Sequence, residues 1–211
     1  GSKIHLDTPW GRADVVTTLL GRFNAQNLAA TVAVLCAQGF AFDKVISILD
    51  QIKPATGRMD CIIEPGKPLV VVDYAHTPDA LEKALSTLQE TKESNSQLWC
   101  VFGCGGNRDK GKRSIMGQMA ANFADKVVVT SDNPRQEEPQ AIIDDVLPGV
   151  PNPALVEVDR KKAIEQAIEA AASNDIVLIA GKGHETYQDI GGKKHHFSDF
   201  EIAKAALERK Q

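Results

Sequence analysis

Several shortages bound what this chain can be. No apolar stretch approaches the ~20 residues that a membrane-spanning helix needs. The longest runs, 69–72 and Ile176–Ala180, have the length of buried strands. Positive charge is not in excess either: 24 Lys and Arg stand against 28 Asp and Glu, a formal net of −4. That balance excludes a nucleic-acid binder working through bulk phosphate neutralisation. Cysteines are few and scattered: Cys36, Cys61, Cys100 and Cys104. They do not suggest a disulfide framework, so a reducing cytoplasm is expected. The spacing Cys100-x3-Cys104 is not a zinc pattern, and the adjacent His195 and His196 would point to opposite faces of a strand. Repeats and low-complexity segments are absent. The start has no basic region with an apolar core behind it, so no signal peptide is expected. Gly1-Ser2 reads as a tag remnant.

What is present is ordinary for a globular fold: 43% hydrophobic and 25% charged residues in a chain of 211. Two rhythms divide it. Over 1–55 the pattern reads as helix after helix. Asn24 is placed as an N-cap, Leu28, Val32 and Leu35 follow at helical spacing, and Gly39 is the stop. Val45, Ile46, Leu49 and Ile52 suggest a second helix ending at Pro54. The residues before Asn24 are too few to close a core, and this part is expected to be the tail of a larger domain.

Over 56–211 short apolar strands alternate with helices. Strands are expected at Leu69–Asp73, 98–103, 126–130, 154–158 and Ile176–Ala180. The helices between them carry Leu81, Ala84, Leu85 and Leu88, then Ile115, Met119 and Phe123, then Ile142, Ile143 and Val146, then Ile164, Ile168 and Ala171. Gly191-Gly192 marks a hairpin between Tyr187–Ile190 and 193–197. Ser198-x-x-Glu201 opens the last helix as a capping box. Strands apolar on both faces and separated by helices imply βαβ crossovers. The fold class expected is α/β: a Rossmann-like, mostly parallel sheet with helices on both faces and an antiparallel edge hairpin, preceded by a mainly helical segment.

In an open α/β sheet, ligands bind beyond the carboxyl ends of the strands. The loops there are Asp73-Tyr-Ala-His-Thr77, 103–113, 131–139 and Gly181-Lys-Gly-His-Glu185, all dense in groups that bind charged ligands. Loops at the opposite ends look like solvated turns. The stretch from Gly106 to Lys112 fits the Gly-x4-Gly-Lys phosphate loop, but Arg113 stands where a Ser or Thr hydroxyl should meet magnesium. Arg108, Lys110, Lys112 and Arg113 suit an anion; a solvated basic loop is the plainer alternative. Asp132-Asn133-Pro134-Arg135 brings a carboxylate, an amide and a guanidinium together on a stiffened loop. Such a set can hold the ammonium and carboxylate of an amino acid, or form an Asx-turn with a surface ion pair. Asp73 sits where acids meet ribose hydroxyls. His76 precedes a helix N-terminus and can equally be structural. Arg58 lies at the junction of the two regions, where a linking salt bridge is the alternative.

Taken in order, these motifs resemble the Mur ligases of peptidoglycan synthesis: Asn24-x-x-Asn27-x-x-Ala30, Gly57-Arg58, Asp73-Tyr-Ala-His-Thr-Pro78, the 103–113 loop, Asp132-Asn-Pro-Arg135 and Gly181-Lys-Gly-His-Glu185. The resemblance implies a fragment of an ATP-dependent amide ligase. Residues 1–55 would be the tail of the central ATPase domain and 56–211 the C-terminal domain. It further implies ATP and Mg2+ as cofactors, with the metal ligands mainly in the central domain. UDP-N-acetylmuramoyl-L-alanyl-D-glutamate would be the other substrate of the full-length enzyme. The Asp-Asn-Pro-Arg form resembles that of members adding meso-diaminopimelate rather than lysine. Arg108, Asp132, Asn133, Pro134, Arg135, Gly181 and Glu185 would then bind that amino acid. Asn24, Arg58, Asp73 and His76 would face ATP, with Asp73 at the ribose and Arg58 near the phosphates. A monomer without nucleic-acid or membrane partners is expected. Because no intact Gly-x4-Gly-Lys-Ser/Thr is present, the chain alone is expected to lack ligase activity. A stand-alone amino-acid-binding module and a small P-loop phosphotransferase are the alternatives.

Overall fold

The structure is a computed structural model that describes residues 2–210. Gly1, half of the expected tag remnant, and Gln211 lie outside the described residues. The chain divides into two compact units, one ending at Ala55 and the other beginning at Thr56.

The first unit opens on strands that the sequence reading of a mainly helical segment did not place. β1 (Ser2–Thr8) pairs antiparallel with β2 (Gly11–Thr17), placing Ile4 opposite Val15 and Leu6 opposite Ala13. The run Val15-Val16 obscured the alternation: Val15 is 4% exposed and its neighbour 68%. α1 (Arg22–Ala37) starts before Asn24, which corrects the expected cap. Gly21 occupies the N-cap, and the Asn24 amide donates to the Leu20 carbonyl at 2.8 Å. Gly39 does end the helix. It sits at φ +94°, its N–H bonds the Cys36 carbonyl at 3.0 Å, and Phe40 N–H reaches Leu35 at 3.2 Å, a Schellman turn. The expected second helix is broken into α2 (Phe42–Ile46) and a 3-10 turn at Leu49–Gln51. Helices still hold more of this unit than strands do. Leu6, Val15, Leu28, Val32, Val45 and Leu49 form its core.

The second unit is a six-stranded sheet flanked by helices. Its strands are β3 (Asp60–Ile62), β4 (Leu69–Asp73), β5 (Leu98–Phe102), β6 (Lys126–Val129), β7 (Leu155–Val156) and β8 (Ile176–Ala180). The spatial order is β3-β4-β8-β5-β6-β7, with every pair parallel except β3 and β4. Its antiparallel edge is therefore β3, a strand the sequence did not reveal. The Gly191-Gly192 hairpin is present as β9 (Tyr187–Ile190) and β10 (Lys193–His196), in a two-stranded sheet of its own.

α3 (Pro78–Thr91) and α4 (Gly111–Phe123) cover one face; α6 (Arg160–Ala170) and α7 (Asp199–Arg209) cover the other, with α5 (Pro139–Val146) beside α4. Thr77 Oγ1 accepts from Ala80 N–H, Pro78 takes the first helical position, and Leu81, Leu85 and Leu88 are fully buried. Each such leucine contributes about 1.5–3 kcal/mol. Asp159 caps α6 and Ser198 caps α7. α4 corrects the expected inward face. Ile115 is 45% exposed, and Arg113, Met116, Gly117 and Ala120 point inward instead. Among the described residues no helix is long and apolar enough to cross a membrane.

The chain runs from β4 to β5, on outward to β7, then returns to insert β8 between β4 and β5. The direction of winding reverses there, so the carboxyl ends of β4, β8, β5 and β6 frame a crevice.

Candidate functional site

At the exit of β4, the Asp73 carboxylate is tied to backbone on both oxygens. Oδ1 accepts from Ala75 N–H and Oδ2 from Met59 N–H, each at 2.8 Å. Burial pushes this carboxyl up from its ordinary value, and the two hydrogen bonds oppose that. The bond to Met59 draws the 56–60 segment over the strand exits. Gly57, at φ +70°, lies so close to the 183–184 backbone that a Cβ would come within 2.2 Å of His184 N. Only glycine fits there. Tyr74 is the hub of this corner. The Arg58 guanidinium lies 5.0 Å from the centre of its ring, the His76 ring meets it edge-on at 4.6 Å, and His184 lies at 5.2 Å. His76 Nδ1 donates to the Tyr74 carbonyl at 2.8 Å.

The loop after β5 is braced by Arg113. This arginine is 1% exposed and grips Glu137 with two bonds, 3.0 Å from Nη1 and 2.8 Å from Nη2. A third bond, 2.9 Å, goes to Asp145. Glu137 in turn accepts from Asn107 N–H. Arg113 is thus committed to the scaffold, and Lys110 also lies 3.6 Å from Glu137. That corrects the expectation of four basic side chains free for an anion. Asp109 Oδ1 takes the Gly111 N–H at the start of α4, one of the donors a phosphate loop would turn toward its ligand. Arg108 and Lys112 face the crevice.

The floor comes from the exits of β6 and β8. Asn133 Oδ1 accepts from Lys182 Nζ at 2.8 Å and from Asp189 N–H at 2.9 Å, while its Nδ2 donates to Glu185 Oε2 at 2.9 Å. Asp132 is 8% exposed; its Oδ1 lies 3.3 Å from Lys182 Nζ without hydrogen-bond alignment and has no hydrogen-bond partner. Arg135 adopts φ +53° and donates from Nη1 to the Gly106 carbonyl at 2.7 Å. Its backbone N–H bonds Asp189, and its carbonyl accepts from Gly191 N–H. The β9–β10 hairpin is thereby stapled to the 131–135 loop, with Gln188 adding bonds to Ser131 Oγ and the Asp132 carbonyl. Beneath them Arg160, fully buried, pairs with Asp199 at 2.8 Å and supports the Ala180 carbonyl at 2.9 Å.

These exits enclose a cleft of about 590 Å³. Arg108, Asp132, Asn133, Arg135, Gly181, Glu185 and His76 line it together. Pro134 is buried behind its wall, its carbonyl packed against Gly106. Arg58 and Asp73 stand in the Tyr74 corner, and Asn24 belongs to the other unit. Sequence reasoning passed over Tyr74, Lys182 and Gln188; only the position of Lys182 inside the Gly181–Glu185 motif could have flagged it. Among the described residues neither Arg108 nor Arg135 has an acidic partner within 4 Å, so both guanidinium groups are available to a carboxylate. No group of three or more His, Cys, Asp or Glu side chains among the described residues could hold a metal ion.

The chain is similar to known proteins over nearly all of its length. The family model described as "Mur ligase, glutamate ligase domain" matches residues 57–183. A UDP-N-acetylmuramoyl-L-alanyl-D-glutamate–2,6-diaminopimelate ligase from Neisseria meningitidis serogroup B is 66% identical over 98% of this chain and 42% of its own length. The ligase of the same name from Chromobacterium violaceum is 54% identical with the same coverage. A solved structure of a ligase with that name superposes with a TM-score of 0.77 at 42% identity, covering 99% of this chain and 43% of its own. The chain thus spans about two fifths of the length of the relatives it matches. With the matched segment running through three of the four strand-exit loops and into the fourth, the chain belongs to the Mur ligase family.

Proposed function

We propose that this chain is part of an ATP-dependent ligase that adds meso-diaminopimelate to UDP-N-acetylmuramoyl-L-alanyl-D-glutamate, and that its cleft holds the incoming amino acid. One observation carries the reading. The same cleft presents carboxylates without full hydrogen-bond partners, Asp132 and Glu185, and guanidinium groups without acidic partners, Arg108 and Arg135. The first pair suits an ammonium and the second a carboxylate. meso-Diaminopimelate carries both at its far end, whereas lysine ends in an ammonium alone. A lysine would leave two guanidinium groups unpaired in the cleft, which is selection by what the wrong ligand fails to satisfy.

In the whole enzyme ATP would supply the phosphoryl group that activates the D-glutamate carboxylate as an acyl phosphate. The free amine of diaminopimelate then attacks the acyl carbon, the carbon–oxygen bond to phosphate breaks, and the amine loses a proton as the amide forms. The residues of this chain contribute positioning. They clamp the far end of the amino acid, so the attacking amine is presented at a fixed distance from the acyl group. Arg58 and His76, gathered on Tyr74, are the nucleotide-facing pair, and Asp73 has an acceptor position left on each oxygen for a ribose hydroxyl.

The test is a ligand-observed NMR titration with meso-diaminopimelate and L-lysine. Saturable binding of the first alone supports the proposal. Equal binding of both contradicts it.

A further inference from the structure

Lys182 is fully buried at the exit of β8. A buried ammonium is costly unless it is hydrogen-bonded and paired with opposite charge; here two hydrogen bonds and two carboxylates within 4 Å supply both. Asn133 Oδ1 and the Tyr187 carbonyl lie at 2.8 Å, Asp132 Oδ1 at 3.3 Å and Glu185 Oε2 at 3.6 Å. The rings of Tyr187 and Phe197 close over Nζ, each centroid 5.8 Å away. No part of this side chain is left to reach a ligand. Its action is on its neighbours.

Two consequences follow from the donor and acceptor chemistry. Lys182 and the Asp189 N–H can only donate, and the Glu185 carboxylate can only accept. The Asn133 amide therefore has one allowed orientation, oxygen inward and nitrogen toward Glu185. Asp132 and Glu185 also converge on the one ammonium, which offsets their mutual repulsion and leaves the three groups one net negative charge. One negative charge matches one ammonium of a ligand.

We propose that Lys182 is the positioning residue of this cleft: its ammonium fixes the Asn133 amide and holds the Asp132 and Glu185 carboxylates as a single acceptor for a ligand ammonium. This rests on the reading that the cleft takes an amino-acid head group. The residue does not touch the ligand, and the inference has a signature in the ligand-free chain.

That signature is hydrogen exchange at the Asn133 side-chain amide, followed by NMR in the 211-residue chain. In Lys182→Met the exchange is expected to quicken about tenfold or more, the loss of roughly one hydrogen bond. Backbone amides of β5 and β8 should keep their protection. Lys182→Gln, which keeps a donor for Asn133 but no charge, should restore slow exchange while binding meso-diaminopimelate about tenfold or more weakly than wild type. Unchanged Asn133 exchange in folded Lys182→Met would overturn the proposal, as would wild-type affinity in Lys182→Gln. If neither variant folds, the wild-type Lys182 Nζ protons decide: slow exchange with water and a shift on ligand addition support it, and exchange as fast as in free lysine overturns it. Failure of the wild type to bind meso-diaminopimelate would sink the proposed function and leave the Asn133 result standing by itself.

Discussion

Arg113 holds Glu137 through two nearly parallel hydrogen bonds, 3.0 and 2.8 Å long, at the sequence position where a phosphate loop would place a hydroxyl. The basic loop after β5 is therefore a braced wall, and Glu137 passes the brace on to Asn107. The Arg113 hydrogen bonds hold the Glu137 carboxyl at about 2, against 4.5 ordinarily. Because the folded value is the lower one, this carboxylate stabilises the fold fully above about pH 4.5. That contribution fades as the pH falls toward 2. Carbon-13 NMR should find Glu137 titrating near 2 in the wild type and higher in Arg113→Met, where the Asn107 N–H still holds it below its ordinary value. An unchanged midpoint in the variant would contradict the brace.

The Arg160–Asp199 pair makes a different prediction, since both side chains are fully buried. Arg160→Met leaves Asp199 charged and unpaired, at a cost of about 3–5 kcal/mol. Replacing both residues with apolar ones should cost less than the sum of the two single changes. Urea unfolding of the single and double variants measures this directly.

Gly57→Ala should loosen the Tyr74 corner. Backbone strain at φ +70° costs about 1–3 kcal/mol, and the added carbon collides with the 183–184 backbone. The expected result is a lower unfolding temperature, with NMR shift changes at residues 183–185 as well as at 57.

Cys100 and Cys104 are buried thiols, and desolvation pushes Cys104 up to about 12 and Cys100 higher still. Both should stay unreactive toward a thiol reagent at neutral pH in the folded chain and react once it is denatured. Fast labelling of either in the native protein would contradict their placement.

How much of this was legible in the sequence depended on whether local signals decided the structure. β8 is a five-residue apolar run and β4 four apolar residues ending in Asp73, both buried on both faces, and α3 is announced by Thr77-Pro78, so all three fall where the pattern puts them. The β1–β2 hairpin was hidden because its exposed Val16 mimics a core residue. α4 was turned to the wrong face because a buried arginine counts as polar in any pattern. Gly117 then lets α4 approach the end of α5, where a Cβ would lie 2.6 Å from the Val146 carbonyl. The strand-exit rule located the cleft loops before any contact was known. It could not single out Lys182, whose two hydrogen-bond acceptors and two carboxylate partners come from the 132–133 loop, Glu185 and the hairpin and meet only in the fold.

The most direct test of the account is the affinity change caused by Arg135→Ala, measured by NMR titration for meso-diaminopimelate and L-lysine side by side. A charge-assisted bond of about 1.5–3 kcal/mol corresponds to roughly a tenfold to hundredfold loss. The account predicts that loss for meso-diaminopimelate and no saturable lysine binding in either protein. Unchanged meso-diaminopimelate affinity in the variant, or equal binding of the two amino acids by the wild type, would contradict it.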